Sequence, residues 1–195
     1  MRLTKFEIIP AGIMALAILI MSAVMWAPKA HAQDFKCFVG ASVGYGVSAI
    51  KAEDGSDVLK VATQSPMLSP EAGCKMSISA IVLGGLARYD FLDIKGNGIT
   101  GNGRWMLAGT FGWSPLPGAE LYALAGFSGS KLKFDGESAG FQSYVVGGGA
   151  NLALSKSLDL FGEYNAFIGR SKIIEGVKIT PDEHVVRAGL RVKLN

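Results

Sequence analysis

Residues that carry out chemistry are scarce in this chain. Its 195 residues include two histidines and two cysteines, and 18% of the residues are charged. Histidine is the commonest metal ligand and the usual general base near neutral pH, so metal and acid–base chemistry are poorly supplied. His31 lies in the N-terminal segment, and His184 has no serine beside it. We therefore expect no catalytic residues, no metal and no cofactor, and we interpret His184 as an exposed loop residue.

The chain also has little net charge. The formal charge is +3, but residues 1–32 contain Arg2, Lys5, Lys29 and Glu7, so the remainder has 16 basic and 15 acidic residues, a net charge of +1. A balance this close to zero gives no electrostatic footprint for nucleic acid. We expect no nucleic-acid partner.

Residues 1–32 have the layout of a secretory signal peptide. Two basic residues precede an uncharged run from Ile8 to Pro28, and Ala30 and Ala32 supply the small side chains of a cleavage site after Ala32. The alternative is an uncleaved membrane anchor, since the run is long enough to span a bilayer. The small residues at its end favour cleavage.

Residues 33–195 contain no other apolar run long enough for a membrane helix, and they alternate with a period of two, which predicts β-strands. In RWMLAGTFGW the apolar face carries Trp105, Leu107, Phe111 and Trp113. Eight strands are predicted, at 35–50, 67–77, 81–94, 103–114, 119–132, 141–154, 158–171 and 183–194. Polar or glycine-rich loops are predicted at 51–66, 95–102, 133–140 and 172–182, and tight turns at 78–80, 115–118 and 155–157.

Short and long connections in alternation are typical of an up-and-down transmembrane barrel. Trp105 and Trp113 lie eight residues apart on one face, which is roughly 26 Å along a strand and about 20 Å along the membrane normal at a 40° tilt. That spacing suits the two aromatic girdles of such a barrel, so the apolar face is expected to contact lipid. We predict an all-β fold: an eight-stranded antiparallel transmembrane β-barrel in residues 33–195, preceded by the helical signal peptide.

The strand LDLFGEYNAFIG carries a glutamate, Glu163, on the face that the alternation turns inward. A hairpin centred near residue 176 places Glu163 opposite a residue near 189, with Arg187 and Arg191 within diagonal reach. Eight strands enclose a space that side chains fill. The prediction is a buried ion-pair network in the lumen, and the alternative is a gated proton or ion path. Further members are expected from neighbouring strands: Arg88, Asp90 and the candidate Arg104.

Two glycine-rich segments resemble nucleotide-binding motifs without their context. Gly96, Gly98 and Gly101 match a dinucleotide fingerprint, but a strand follows them where a helix is required, so we interpret the segment as a loop. The segment VVGGGANL lacks the lysine of a phosphate-binding loop. Its Gly147 and Gly149 are expected to face the lumen and make room for long arginines.

The two cysteines, Cys37 and Cys74, are candidates for a disulfide because the periplasm is oxidising. Both are expected near the periplasmic base of the first hairpin, on its lipid-facing or interfacial side. The alternative is two small apolar residues that never meet, since Pro66 and Pro70 make the register of the second strand the least determined.

The segments FVGASVGYGVSA, YVVGGGANLALSKSLDLFGEYNAF and VVRAGLRVKL resemble the small Gram-negative outer-membrane barrels of the OmpA/OmpX type, and more closely the porin-family or opacity-type proteins of alphaproteobacteria. The resemblance covers residues 33–195. It implies export through the periplasm to the outer membrane, and assembly by periplasmic chaperones and the barrel-assembly machinery. Family members usually end in an aromatic residue, whereas this sequence ends in Leu194 and Asn195. The departure implies either less efficient assembly or a last strand whose limits differ slightly from 183–194.

Three classes of function are compatible with such a barrel. The first is a non-enzymatic protein that contributes to envelope integrity or surface interaction, the second is a lipid-modifying barrel enzyme, and the third is a small passive pore. A filled lumen disfavours the pore, and the missing catalytic constellation disfavours the enzyme. We expect the first class, in a monomer surrounded by outer-membrane lipid and lipopolysaccharide.

Overall fold

The computed structural model describes residues 34–54, 57–92, 94–96, 99–134, 137–174 and 177–194. The predicted signal peptide and its cleavage residues, Ala30 and Ala32, lie outside these ranges. Within them, no helix is long and apolar enough to cross a bilayer. The strands are β1 (Asp34–Asp54), β2 (Asp57–Ile78), β3 (Ile81–Leu92), β4 (Ile94–Gly96), β5 (Ile99–Leu116), β6 (Ala119–Phe134), β7 (Glu137–Ala153), β8 (Leu158–Gly169), β9 (Lys172–Ile174) and β10 (Val177–Leu194).

Eight of these strands close into a barrel. Antiparallel neighbours follow the order β1-β2-β3-β5-β6-β7-β8-β10, and β10 pairs with β1 to complete the circle. The short strands β4 and β9 follow β3 and β8 in the chain and pair with β5 and β10. The predicted eight-stranded antiparallel barrel is therefore confirmed.

One row of cross-strand partners measures how the strands are staggered. The row leaves β1 at Cys37 and returns to β1 at Val47, a stagger of ten residues around the barrel. With a rise of about 3.3 Å per residue and a strand spacing of about 4.8 Å, this stagger tilts the strands by about 40°. The intervening partners are Cys74, Gly85, Gly109, Ala125, Val146, Ala166 and His184.

The outer wall of the barrel is apolar. Every second residue of the strands faces outward, and most of the residues at these positions are apolar. On β5, Trp105 and Trp113 are 47% and 54% exposed at the two ends of the wall, with Leu107 and Phe111 between them. These are the positions expected for the two aromatic girdles. The wall therefore has the surface that a bilayer requires.

The predicted long loops are wrong over most of their length. Residues 51–54 and 57–66 belong to β1 and β2, which pair without a shift from Asp34–Ser77 to Asp54–Asp57. Most of 95–102, 133–140 and 172–182 is likewise strand, including the glycine-rich segment around Gly96 that was interpreted as a loop. Polar composition misled the prediction, because backbone pairing in the ladder continues beyond the apolar zone.

The predicted tight turns agree better with the structure. Turns occupy Ser79–Ala80 and Pro117–Gly118, and a bend spans residues 154–157. Gly118 adopts a positive φ of 81°, a conformation that glycine enters without steric cost. These short connections lie at the same end of the barrel as the start of β1 and the end of β10.

Candidate functional site

The inward positions of the strands carry a charge-balanced network that fills the lumen. All of its ionic members lie inside the barrel, and most are less than 10% exposed. Equal numbers of opposite charges leave the network without net charge. The basic members are Lys75, Arg88, Arg104, Arg187, Arg191 and Lys193, and the acidic members are Glu71, Asp90, Glu120, Asp159, Glu163 and Glu183.

Glu163 lies at the centre of this network. Arg88 Nη1 donates to its Oε1 at 2.5 Å, Asn165 Nδ2 donates to the same oxygen at 2.7 Å, and Tyr122 Oη donates to Oε2 at 2.7 Å. Because β3 and β8 are four strands apart in the eight-stranded circle, the bond between Arg88 and Glu163 crosses the whole lumen. Both carboxylate oxygens are thus satisfied by direct contacts.

The register around Glu163 differs from the prediction by two residues. The residue directly opposite it in β10 is Arg187, and not a residue near 189. Arg187 Nε and Arg191 Nη2 each lie 3.7 Å from a Glu163 oxygen, so both arginines are near it as expected. Neither is its closest partner, however, because Arg88 reaches it from across the barrel.

Glu71 is a member that the sequence analysis missed. Arg88 donates to its Oε2 from Nε at 2.8 Å and from Nη2 at 2.5 Å, and Arg191 Nε donates to Oε1 at 2.5 Å. Arg191 also donates to Asn151 Oδ1 at 2.6 Å and stacks 3.9 Å from the centroid of Phe161. Pro66 and Pro70 made the register of β2 hard to predict, and Glu71 was therefore not assigned. Its position in the alternation of β2, on the inward side, was the signal that could have placed it in the lumen.

The charged side chains at the end of the lumen away from the short turns form an outer tier around Asp90. Arg104 donates to Asp90 Oδ2 from Nε at 2.9 Å and from Nη2 at 2.6 Å, and Arg187 Nη1 donates to Oδ1 at 2.9 Å. Arg104 Nη1 also donates to Glu183 Oε2 at 2.5 Å, which links β5 and β10 across the lumen. The guanidinium of Arg104 lies 3.6 Å from the centroid of Phe167.

The inner tier closes the end of the barrel that bears the short turns. Lys75 Nζ donates to Glu120 Oε2 at 2.6 Å, and Lys193 Nζ donates to Asp159 Oδ1 at 2.8 Å. Asn151 Nδ2 donates to the same Glu120 oxygen at 3.1 Å. A cavity of about 10 Å³ lies beside Lys75 and Glu120, with room for about one water molecule.

Hydrogen bonding is less complete toward the outer half of the lumen. Arg187 is 2% exposed, yet its Nε and Nη2 have no hydrogen-bond partner among the described residues. The same holds for Ser128 Oγ, Asn165 Oδ1 and Glu183 Oε1. The polar interior is therefore satisfied more fully around Glu163 and Glu71 than above them.

Gly147 and Gly149 make room for neighbours other than the arginines that were expected. A Cβ atom at Gly147 would lie 2.3 Å from Asn165 Oδ1, and one at Gly149 would lie 2.8 Å from Tyr122 Oη. The two glycines thus allow Asn165 and Tyr122 to reach Glu163.

His184 lies in β10 and not in a loop, which corrects the sequence-based interpretation. It is exposed on the outer wall, where its Nδ1 is 2.6 Å from Tyr164 Oη and its ring stacks on that tyrosine. Among the residues that the structure describes, no group of three or more His, Cys, Asp or Glu could hold a metal.

The structure joins Cys37 and Cys74 by a disulfide. The two residues are direct cross-strand partners in β1 and β2, with 3.9 Å between their Cα atoms. Cys37 shares the outward face with Val39 and Tyr45, so the bond lies on the wall and not in the lumen.

A closed antiparallel barrel with an apolar wall and a charged, filled interior defines a small transmembrane β-barrel. The chain belongs to the outer membrane protein beta-barrel domain family, whose model matches residues 14–191. It is accordingly a protein of the bacterial outer membrane.

Several solved structures are similar to this chain at low sequence identity. Neisserial surface protein A is 16% identical, with 81% of this chain and 97% of that chain covered and a TM-score of 0.49. The attachment invasion locus protein Ail of Yersinia pestis is 18% identical, with 79% and 97% covered and a TM-score of 0.46. The outer membrane protease OmpT of Escherichia coli is 10% identical, with 85% and 99% covered and a TM-score of 0.45. No curated protein sequence matches the chain.

Proposed function

We propose that this outer-membrane barrel is a non-enzymatic, non-conducting protein that contributes to envelope integrity or to interaction at the cell surface. The observation that carries the proposal is the pair of ionic bonds that cross the lumen, Arg88–Glu163 and Arg104–Glu183. An ion moving through the barrel would have to break both. Arg88, Glu163 and Arg104 are buried and the Glu183 side chain is 14% exposed, and leaving a buried charge without its partner costs roughly 3–5 kcal/mol.

The inner tier adds a third obstacle to conduction. Lys75, Glu120, Asp159 and Lys193 pair with one another across the end of the lumen. Opposite charges are matched in each tier, and the described part of the lumen has no continuous row of like charges that would offer a path selective for one kind of ion.

The residue types on the wall support a non-enzymatic role. The one histidine of the barrel, His184, is bonded and stacked to Tyr164 on the outer face. A lipid-modifying enzyme needs a nucleophile or a general base held by an orienting group beside its substrate. His184 has no serine beside it in the sequence, so its bond to Tyr164 does not make up such an arrangement.

The proposed surroundings follow from the two faces of the barrel. The apolar wall contacts outer-membrane lipid and lipopolysaccharide, and the monomer needs no further subunit because a closed barrel has no free strand edge in its membrane zone. Periplasmic chaperones and the barrel-assembly machinery deliver it.

Conductance and lipid analysis separate the three classes of function. We expect wild-type protein in planar bilayers to give no channel events, whereas the double variant Arg88→Ala/Arg104→Ala should conduct and serves as the positive control. We expect a deletion strain to keep the wild-type lipid A mass spectrum but to become more sensitive to detergent. Conductance by the wild type would support a pore, and an altered lipid A spectrum would support an enzyme.

A further inference from the structure

The disulfide lies at the level of the inner aromatic girdle. The row that begins at Cys37 rises toward the outer side by about 3 Å per strand, so Gly109, three strands along, is about 9 Å higher. Trp113 lies four residues from Gly109 toward the inner end, which lowers it by about 10 Å. Cys37 is therefore at about the height of Trp113, on the surface that meets the membrane interface.

The strand that carries Cys74 pairs with β3 without interruption only from Glu71 to Ile78. The ladder between β2 and β3 is interrupted at Ser69 and Pro70, between the pairs Leu68–Phe91 and Glu71–Arg88. Proline has no N–H group to donate to a ladder. Among the described residues, positions 57–66 of β2 pair with β1 but not with β3 or β4, so the register of this half of β2 depends on β1.

Alternation by itself does not determine that register. A slip of one residue would turn every side chain to the wrong face, but a slip of two residues preserves both faces. Such a slip would place Cys37 opposite Ala72 or Met76, and it would move Glu71 by about 7 Å relative to Arg191. The central ion pairs of the lumen therefore need a device that excludes the two-residue slip.

We propose that the Cys37–Cys74 disulfide is this device, and that it forms in the periplasm before the barrel enters the membrane. The oxidant is the disulfide of a soluble thiol–disulfide oxidoreductase. One cysteine thiolate attacks that disulfide to form a mixed disulfide and release the first oxidoreductase sulfur. The second cysteine thiolate then attacks the mixed disulfide and releases the other. The barrel thiols lose two electrons and two protons, and the oxidoreductase gains two thiols.

The order of events follows from where the sulfur atoms end. After insertion they lie on the wall at the membrane interface, where a folded soluble enzyme cannot align its own disulfide with them. Before insertion the first hairpin is open to the periplasm. Oxidation at that stage joins β1 and β2 in the one register that later pairs Glu71 with Arg88 and Arg191.

Thiol labelling of assembly intermediates tests the order. Pulse-labelled chains are first separated, unheated and without reductant, into the signal-cleaved, unfolded form and the folded form that migrates faster. Each form is then denatured without reductant and treated with a maleimide reagent. We expect no free thiols in either form. Two free thiols per chain in the cleaved, unfolded form, together with none in the folded form, would place oxidation after insertion and overturn the proposal.

Relocated cysteines test the register. In a Cys37→Ala/Cys74→Ala background, the folded yield in vesicles should fall, and Val39→Cys/Ala72→Cys should restore it because these residues are direct partners. The matched control joins Val39→Cys with the native Cys74 in a Cys37→Ala chain, which is offset by two residues and should not restore the yield. A cysteine-free chain that folds as well as the wild type, or equal rescue by the offset pair, would refute the role in register.

Discussion

Glu163 and Tyr164 are neighbours in β8, yet they depend on opposite kinds of surroundings. Glu163 is 4% exposed in the lumen and accepts bonds from three named partners, whereas Tyr164 is 47% exposed on the wall. The lumen requires particular atoms in particular places, because an unpaired buried charge is costly. The wall requires only that its residues be apolar or interfacial, since lipid is a solvent without specific partners.

Hydrogen bonding is unevenly distributed within the lumen. Around Glu163 and Glu71 every carboxylate oxygen has a donor, whereas two nitrogens of Arg187 make no hydrogen bond to the described residues. The group around Glu163 and Glu71, which we call the central tier, should therefore tolerate substitution less than the outer tier around Asp90.

The largest loss of stability is expected for Glu163→Ala. It would remove the acceptor for Arg88, Asn165 and Tyr122, and leave a buried guanidinium with one carboxylate fewer, at a cost of roughly 3–5 kcal/mol. Urea unfolding in vesicles measures it, with the exposed turn variant Lys156→Ala as a control near zero. Equal stability of the two variants would mean that Glu163 is solvated.

A charge on the wall should cost nearly as much. Leu107 is 47% exposed between Trp105 and Trp113, so Leu107→Arg would place a guanidinium toward the hydrocarbon core and destabilise the barrel by roughly 2–4 kcal/mol. The matched change Leu107→Met should be close to neutral in the same unfolding experiment. If Leu107→Arg is also neutral, the wall does not contact lipid at this position.

A smaller loss is expected for Arg187→Met. Asp90 keeps both bonds from Arg104. Two buried nitrogens of Arg187 make no hydrogen bond to the described residues, which reduces what its burial contributes, so we expect a cost of roughly 1–2 kcal/mol. Comparing its unfolding midpoint with that of Glu163→Ala checks the difference between tiers. A loss as large as that of Glu163→Ala would contradict the difference.

The smallest effect is expected for Ser128→Ala. Ser128 is 2% exposed, and its hydroxyl has no partner among the described residues, so removing the oxygen should change stability by less than about 0.5 kcal/mol. Ser69→Ala is the comparison, because Arg187 Nη1 donates to that hydroxyl at 3.2 Å and would lose the bond. A loss at Ser128 that exceeds the loss at Ser69 would show that the Ser128 hydroxyl is engaged.

The face of the strand on which each residue lies was predictable from the sequence, whereas the residue opposite it in the neighbouring strand was not. The inward direction of Glu163, Arg187 and Arg191 followed from period two, which holds within each strand without reference to its neighbours. The register of β8 against β10 did not follow from this alternation. The sequence placed the centre of the hairpin one residue too late, and this error displaces every cross-strand partner by two residues. The ends of the strands were also missed, since polar residues pair through their backbones as well as apolar ones.

Partners across the lumen were the least predictable. Arg88 and Glu163 are 75 residues apart in the chain, and their bond depends on β3 and β8 facing each other in a circle of eight. Glu71 could be assigned to the lumen by parity, but its contact with Arg88 and Arg191 needs the register of three strands at once.

By itself, the sequence determined that the protein is an eight-stranded outer-membrane barrel with an apolar wall and a charged interior, because alternation and turn residues act locally. Tertiary structure decided which charges meet. Closure of the barrel and its ten-residue stagger bring distant strands to the same height, and no local pattern contains that information.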